Sequence, residues 1–182
     1  MALTDWFRRK PHERAGFALY TAAVGAARDP AVFGGLGVPD SLDGRFDLVG
    51  LHVALLIRRL HRDADKRGPA LAQSVFDAMF ADMDINLREM GVSDLSVGRR
   101  VRTMWEAFHG RAKAYETALG AGDGQALAAA LERNVWRREA EPSAEALRLA
   151  AHVEAVAAAL DGQPLAALLR GEVAFPALAD VG

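Results

Sequence analysis

An all-α fold, one domain of six or seven helices around a central apolar helix, is what this sequence predicts, and three observations predict it. Apolar residues make up 51% of 182 positions. Alanine, the strongest helix former, supplies much of that share, while β-branched residues are modest. Apolar positions recur at three- and four-residue intervals in one segment after another, and no alternating strand pattern or internal repeat of useful length is present.

The first helix is expected over His12–Arg28, after Pro11, with Phe17, Tyr20 and Val24 at helical spacing. Pro30 and "FGGLGVPDSLDG" then predict a long irregular connection, rich in glycine and turn formers. "FDLVGLHVALLIRRL", Phe46 to Leu60, is apolar nearly all round and becomes the central helix, with Ser41 or Asp43 as N-cap. At about 15 residues it falls short of the roughly 20 a spanning helix needs. After "RDADKRGP" a helix is expected from Ala70 to Met90, stopped by Gly91. Ser96 is the expected cap of a long helix to Leu119, striped by Val97, Val101, Met104, Trp105, Phe108, Ala112 and Tyr115. "GAGDG" breaks the chain, "QALAAALERNVWRREA" restarts it, Pro142 and Ser143 open a helix to Leu160, and a short helix follows Pro164. The predicted organisation is a basic, aromatic arm over residues 1–11, a helical domain over 12–175 and a tail over 176–182.

Composition also narrows function. The formal net charge is −2, so no global basic field recruits nucleic acid or membrane, and any such contact needs a local patch. With no cysteine there are no disulfides, thiolate metal sites or cysteine nucleophile. The N-terminus has no signal-peptide core but sets Trp6 and Phe7 beside Arg8, Arg9 and Lys10, a pairing suited to an anionic membrane interface.

Asp82 and Asp84 invite a metal-site reading. Two positions apart on a helix point about 160° away from each other, so they flank the stripe of Phe76, Met79, Phe80, Met83, Leu87 and Met90 on opposite sides. Asp84 instead has Arg88 four residues on. Glu106 and His109 have the Glu-x-x-His spacing of di-iron bundles, but such sites need a second copy of the motif and further glutamates, so a surface pair is expected. His52 reads as a hydrogen-bonded core histidine. No catalytic, cofactor or metal residue is assigned. Arg99, Arg102 and Lys113 lie opposite the stripe of the long helix and Arg100 and Arg111 on one flank, a face fit for phosphate or an acidic protein.

The segments "GVPDSLDGRFDLVGLHVALLIRRL" and "LAQSVFDAMFADMDINLREMGVSDLSVGRRVRTMWEAFHGRAKAY", the later "ERNVW" and "GEVAFP" near the end together resemble the ubiquinol–cytochrome c chaperone family. The resemblance runs from about Tyr20 to Trp136 and more loosely beyond. Phe33 and Gly34 stand where the family has an aromatic pair ending in tyrosine, Trp105 where a small residue is usual and His109 where tyrosine is usual. Without the long N-terminal extension of mitochondrial members the chain resembles a bacterial one. The resemblance implies a non-enzymatic assembly factor that binds newly made cytochrome b, or an early assembly intermediate, peripherally at the cytoplasmic face of the inner membrane. It implies ribosome contact as a further partner, and no DNA. On charge, Asp77, Asp82, Asp84 and Glu89 are the expected client contacts, and Arg99, Arg100, Arg102, Arg111 and Lys113 the expected lipid or ribosome contacts. The readings it displaces are an aspartate–metal enzyme of isoprenoid-synthase type, which lacks a second aspartate-rich motif here, and a ribosome- or RNA-binding helical module.

Overall fold

The central helix, α3 (Leu42–His61), explains the rest of the architecture. Leu48, Leu51, Val53, Leu55, Leu56 and Leu60 are almost completely buried, and buried Gly50 and Ala54 lie on the opposite side of its axis. Such a helix can be stable only when wrapped by others. In a computed structural model, which describes residues 11–178, that wrapping comes from α1 (Pro11–Ala26), α4 (Arg67–Glu89), α5 (Asp94–Ala121) and α7 (Ala144–Asp161). The Ser41 hydroxyl caps α3, accepting from the Gly44 N–H at 3.1 Å. Arg58, Arg59 and His61 occupy its last turn, where cations oppose the helix dipole.

The remaining elements are α2 (Pro30–Leu36), α6 (Gly124–Leu131) and the single turn α8 (Leu165–Leu168). Among the described residues all regular structure is helical, with seven helices of seven residues or more. α6 passes into a π-helical turn, Glu132–Trp136, that packs on α3 and ends at Arg137, whose φ of 57° is left-handed.

Boundaries follow local chemistry, and three differ from expectation. The predicted irregular connection contains α2: Asp29 accepts from the Ala31 N–H at 2.9 Å, Pro30 takes the first turn, and left-handed Gly37 ends it. α4 begins at Arg67, three residues before Ala70, because Pro69 is tolerated within a first helical turn. α5 begins at Asp94, with Ser93 and not Ser96 at the N-cap position; the two serine hydroxyls bond each other at 3.1 Å. Gly91 does stop α4, at φ 80°, with the Val92 N–H reaching back to the Leu87 carbonyl at 3.0 Å. Ser143 caps α7 as its sequence predicts, accepting from the Ala146 N–H at 3.2 Å.

Among the described residues, buried ionic clusters fasten these helices, and two of them involve α3. Arg59, 9% exposed, donates to the carbonyls of Leu160 at 3.1 Å and Gln163 at 2.8 Å, satisfying the end of α7, and pairs with Asp63 at 3.0 Å. Asp47, on α3, accepts from Arg111 of α5 and from Arg137 at 2.9 Å. Burial pushes the Asp47 carboxyl up to about 6, against the downward pull of the two guanidiniums.

Candidate partner-binding surfaces

Among the described residues, α1 and α4 form the most extensive helix–helix contact. Gly16 makes it possible: a Cβ there would lie 2.6 Å from the Ser74 Cβ and 2.7 Å from its carbonyl carbon. With no side chain at Gly16 the two backbones approach closely. On the solvent side of this contact lies a groove of about 380 Å³. Phe17, Ala78, Ala81 and Ile85 give it an apolar floor, and Glu13, Asp77 and Asp82 line it with carboxylates. Its lining, among the described residues, includes no lysine or arginine.

The sequence-derived acidic residues divide between this groove and the end of α4. Asp77 is exposed and accepts from the Gln73 amide at 2.7 Å. Asp82 turns toward α1, accepting from the Tyr20 hydroxyl at 2.7 Å and the Asn86 amide at 3.1 Å. Burial, together with the Asp82 bond, pushes the Tyr20 hydroxyl well above its ordinary range, so it stays a donor at any physiological pH. Asp84 turns the other way, to Arg88 at 2.6 Å, and Arg88 also reaches Asp94 at the start of α5. Hydrogen bonding to Arg88 holds the Asp84 carboxyl below the usual carboxylate range. The two aspartates thus face apart, as their spacing requires, and among the described residues no three histidine, aspartate or glutamate groups gather as a metal site would need. Glu89 is exposed and lines a second groove with Met90 and Leu42, which are 50% and 56% exposed.

The basic residues divide likewise. Arg99 and Arg100 are exposed on the first turns of α5, and Arg102 pairs with Glu106 at 3.0 Å. Lys113 lines a third groove, of about 380 Å³ between α3 and α5, with Arg58 and Arg62. Arg111 turns inward to Asp47 and is only 19% exposed. Glu106 and His109 do not act as one pair: Glu106 takes Arg102, while the His109 ring lies 4.0 Å from Trp105 and beside Phe76 and Phe108. His52, 3% exposed, bonds through Nδ1 to the Leu48 carbonyl at 2.9 Å, and burial lowers its pKa to about 4. Trp6, Phe7, Arg8, Arg9 and Lys10 lie outside the described residues.

Sequence reasoning missed Phe17 and Ile85 as groove residues and Tyr20 as the partner of Asp82. Tyr20 and Asp82 are 62 residues apart, and only the parallel packing of α1 on α4 joins them. Phe17 carried one usable signal, a large aromatic ring on the half-exposed flank of an amphipathic helix.

The fold and its surface define an all-α domain with charged, apolar-floored grooves. Comparison with known proteins places it further. Residues 35–175 match the family model described as ubiquinol–cytochrome C chaperone, and the chain belongs to that family. It is 25% identical over 169 residues to the ubiquinol-cytochrome-c reductase complex assembly factor 1 of Xenopus laevis, covering 91% of this chain and 82% of that protein. A crystal structure of the Cbp3 homolog from Brucella abortus superposes with a TM-score of 0.83 at 34% identity, over 100% of both chains. Among the described residues no helix is long and apolar enough to cross a membrane.

Proposed function

We propose that this chain is a non-enzymatic assembly chaperone of the ubiquinol–cytochrome c reductase complex, holding newly made cytochrome b at the cytoplasmic face of the inner membrane. The observation that carries the reading is family membership across residues 35–175, supported by the whole-chain likeness to the Cbp3 homolog. A membrane-protein client offers apolar helices and cytoplasmic loops rich in lysine and arginine. Asp77, Asp82, Asp84 and Glu89 on α4 supply the complementary charge, next to apolar grooves. Arg99, Arg100, Arg102 and Lys113 on α5 supply the opposite sign, for lipid headgroups or ribosomal RNA. Arg111 serves chiefly to hold Asp47. The N-terminal Trp6, Phe7, Arg8, Arg9 and Lys10 add a membrane contact in this reading.

Affinity capture of the tagged chain from its own membranes tests the proposal. Co-purification of cytochrome b before haem insertion is the expected result. Capture that recovers other membrane proteins but never that subunit would sink it.

A further inference from the structure

The groove between α3 and α5 is apolar along its floor and charged at its mouth. Ala54, Leu55, Ile57, Ala112 and Leu119, all buried or half-buried, form the floor. Exposed Arg62 and Lys113 stand at the mouth, with Arg58 and Glu116. We propose that this groove binds one anionic phospholipid of the membrane surface, an acyl chain lying along the floor and the phosphate held by Lys113 and Arg62, an inference that rests on the membrane reading above and chooses lipid over nucleic acid for this part of α5.

Three observations set the chemistry of that ligand. The first is charge. Lys113 bonds to no carboxylate among the described residues, and Arg62 has only a 3.4 Å contact with Asp161. Arg58, whose side chain is 10% exposed, lies between Asp161 at 3.2 Å and Glu116 at 2.8 Å. These three cations face two carboxylates, so the mouth keeps a positive charge that a phosphate completes. Glu116 is held by charge alone: the Arg58 Nε–H has no acceptor in hydrogen-bond geometry, so Glu116 can turn to solvent when a phosphate arrives. The second is the floor. Its five apolar side chains stand on helices whose backbone groups are paired within themselves, so it offers contact area without hydrogen bonds. A hydrocarbon chain needs nothing more, whereas a nucleobase would leave its polar groups unsatisfied there. From Ala54 to Arg62 the lining of α3 runs about 12 Å at 1.5 Å per residue, against about 15 Å for one leaflet of the hydrocarbon core. The third is Trp105. It is 44% exposed, and its ring lies 4.0 Å from that of His109, which lines the groove. An exposed tryptophan near Arg102 and Lys113 suits the headgroup level of a bilayer.

The test uses the full chain and monomeric dihexanoyl phosphatidylglycerol in isothermal titration calorimetry. Saturable binding is expected, at least ten-fold tighter than for dihexanoyl phosphatidylcholine and for glycerol phosphate, which carries the anion without the chains. Lys113→Glu reverses an exposed cation, and Ala112→Phe fills the groove from a half-buried position; each should weaken binding at least ten-fold while leaving the circular dichroism unchanged. Equal affinity for the two lipids, or unchanged affinity in Lys113→Glu, overturns the proposal. So does glycerol phosphate binding as tightly as the lipid, since the site would then be one for free phosphate. Arg8→Glu with Arg9→Glu should leave the affinity unchanged; loss of binding there puts the lipid on the N-terminal segment and overturns the groove. Ribosomal RNA that binds and is lost on Lys113→Glu, while no lipid binds, overturns it as well. The lipid readout needs no cytochrome b: a chain that captures that subunit but ignores the lipid refutes the groove alone.

Discussion

Replacing Gly16 by alanine tests whether close backbone approach holds α1 on α4. The substitution should help an isolated helix, by about 1 kcal/mol in intrinsic propensity. In the folded chain the new methyl would lie 2.6 Å from the Ser74 Cβ and 2.7 Å from its carbonyl carbon, and neither a Cβ nor a main chain can swing aside. Ordinary carbon contacts need about 3.5–4.0 Å, so α1 must retreat by about 1 Å. Overpacking of this kind costs about 1–3 kcal/mol. The retreat also stretches the 2.7 Å bond from Tyr20 to Asp82, forfeiting about 1 kcal/mol more. Set against the propensity gain, the net loss is about 2 kcal/mol, which for a chain of this size lowers Tm by about 4–8 °C. Thermal and urea unfolding followed by circular dichroism measure it. Adding Ser74→Gly removes the side-chain clash but not those with the Ser74 carbonyl, so the double variant should recover only part of the loss. A Gly16→Ala chain as stable as the original would refute the argument, because the propensity term would then have won.

The buried histidines give the fold a pH dependence. His52 has its pKa lowered from 6.5 to about 4 by burial, so the unfolded chain binds the proton first; stability is complete above pH 6.5 and falls as pH drops toward 4, by about 3 kcal/mol from this group. Burial lowers His152 in the same direction. Asp47, raised to about 6 by burial, works in the opposite direction over the same range, so the test is the urea-midpoint difference between the chain and His52→Gln, which should shift in the variant's favour as pH falls from 7 to 4. The Asp47 cluster makes an asymmetric prediction. Arg111 is 19% exposed and Arg137 49%, so Arg111→Ala should cost about 2–4 kcal/mol and Arg137→Ala no more than about 1. Equal losses in equilibrium unfolding would show that exposure does not set the value of these pairs. Arg137→Gly should be milder than Arg137→Ala, since glycine accepts a φ of 57° without strain.

What was legible in the sequence was whatever the chain decides locally. The apolar run of α3, the stripe of α4 and the stop at Gly91 depend on neighbours within a few turns, and they appear where the pattern puts them. The misplaced features were local too, but turned on competing signals. "PAVFGGL" reads as loop by its glycines and as helix by Asp29 and Pro30, and the capped first turn wins. Ser93 and Ser96 are both credible caps, and periodicity alone could not choose between them. What the sequence could not show is pairing across the fold. Asp47 meets Arg111 and Arg137 over separations of 64 and 90 residues, and Arg59 reaches carbonyls more than 100 residues away. Arg111 therefore read as one more cation on a basic face, although its partner was already in the sequence on the central helix.

The same reasoning explains why the paired aspartates of "FADMDINLREM" contribute to a surface without forming a metal centre. Two positions apart on a helix, they can never converge on one ion. That divergence gives each a different neighbour: Asp82 ties α4 to Tyr20 of α1, and Asp84 ties it through Arg88 to the start of α5. Asp82 is thereby pinned at the wall of the α1/α4 groove with one oxygen spent on the fold and one left over. A carboxylate fixed in this way would lose little further side-chain entropy on pairing with a cation, the preorganisation that favours binding. Asp77, less tightly held, should contribute more to the rate of encounter with a cationic partner than to the lifetime of the complex.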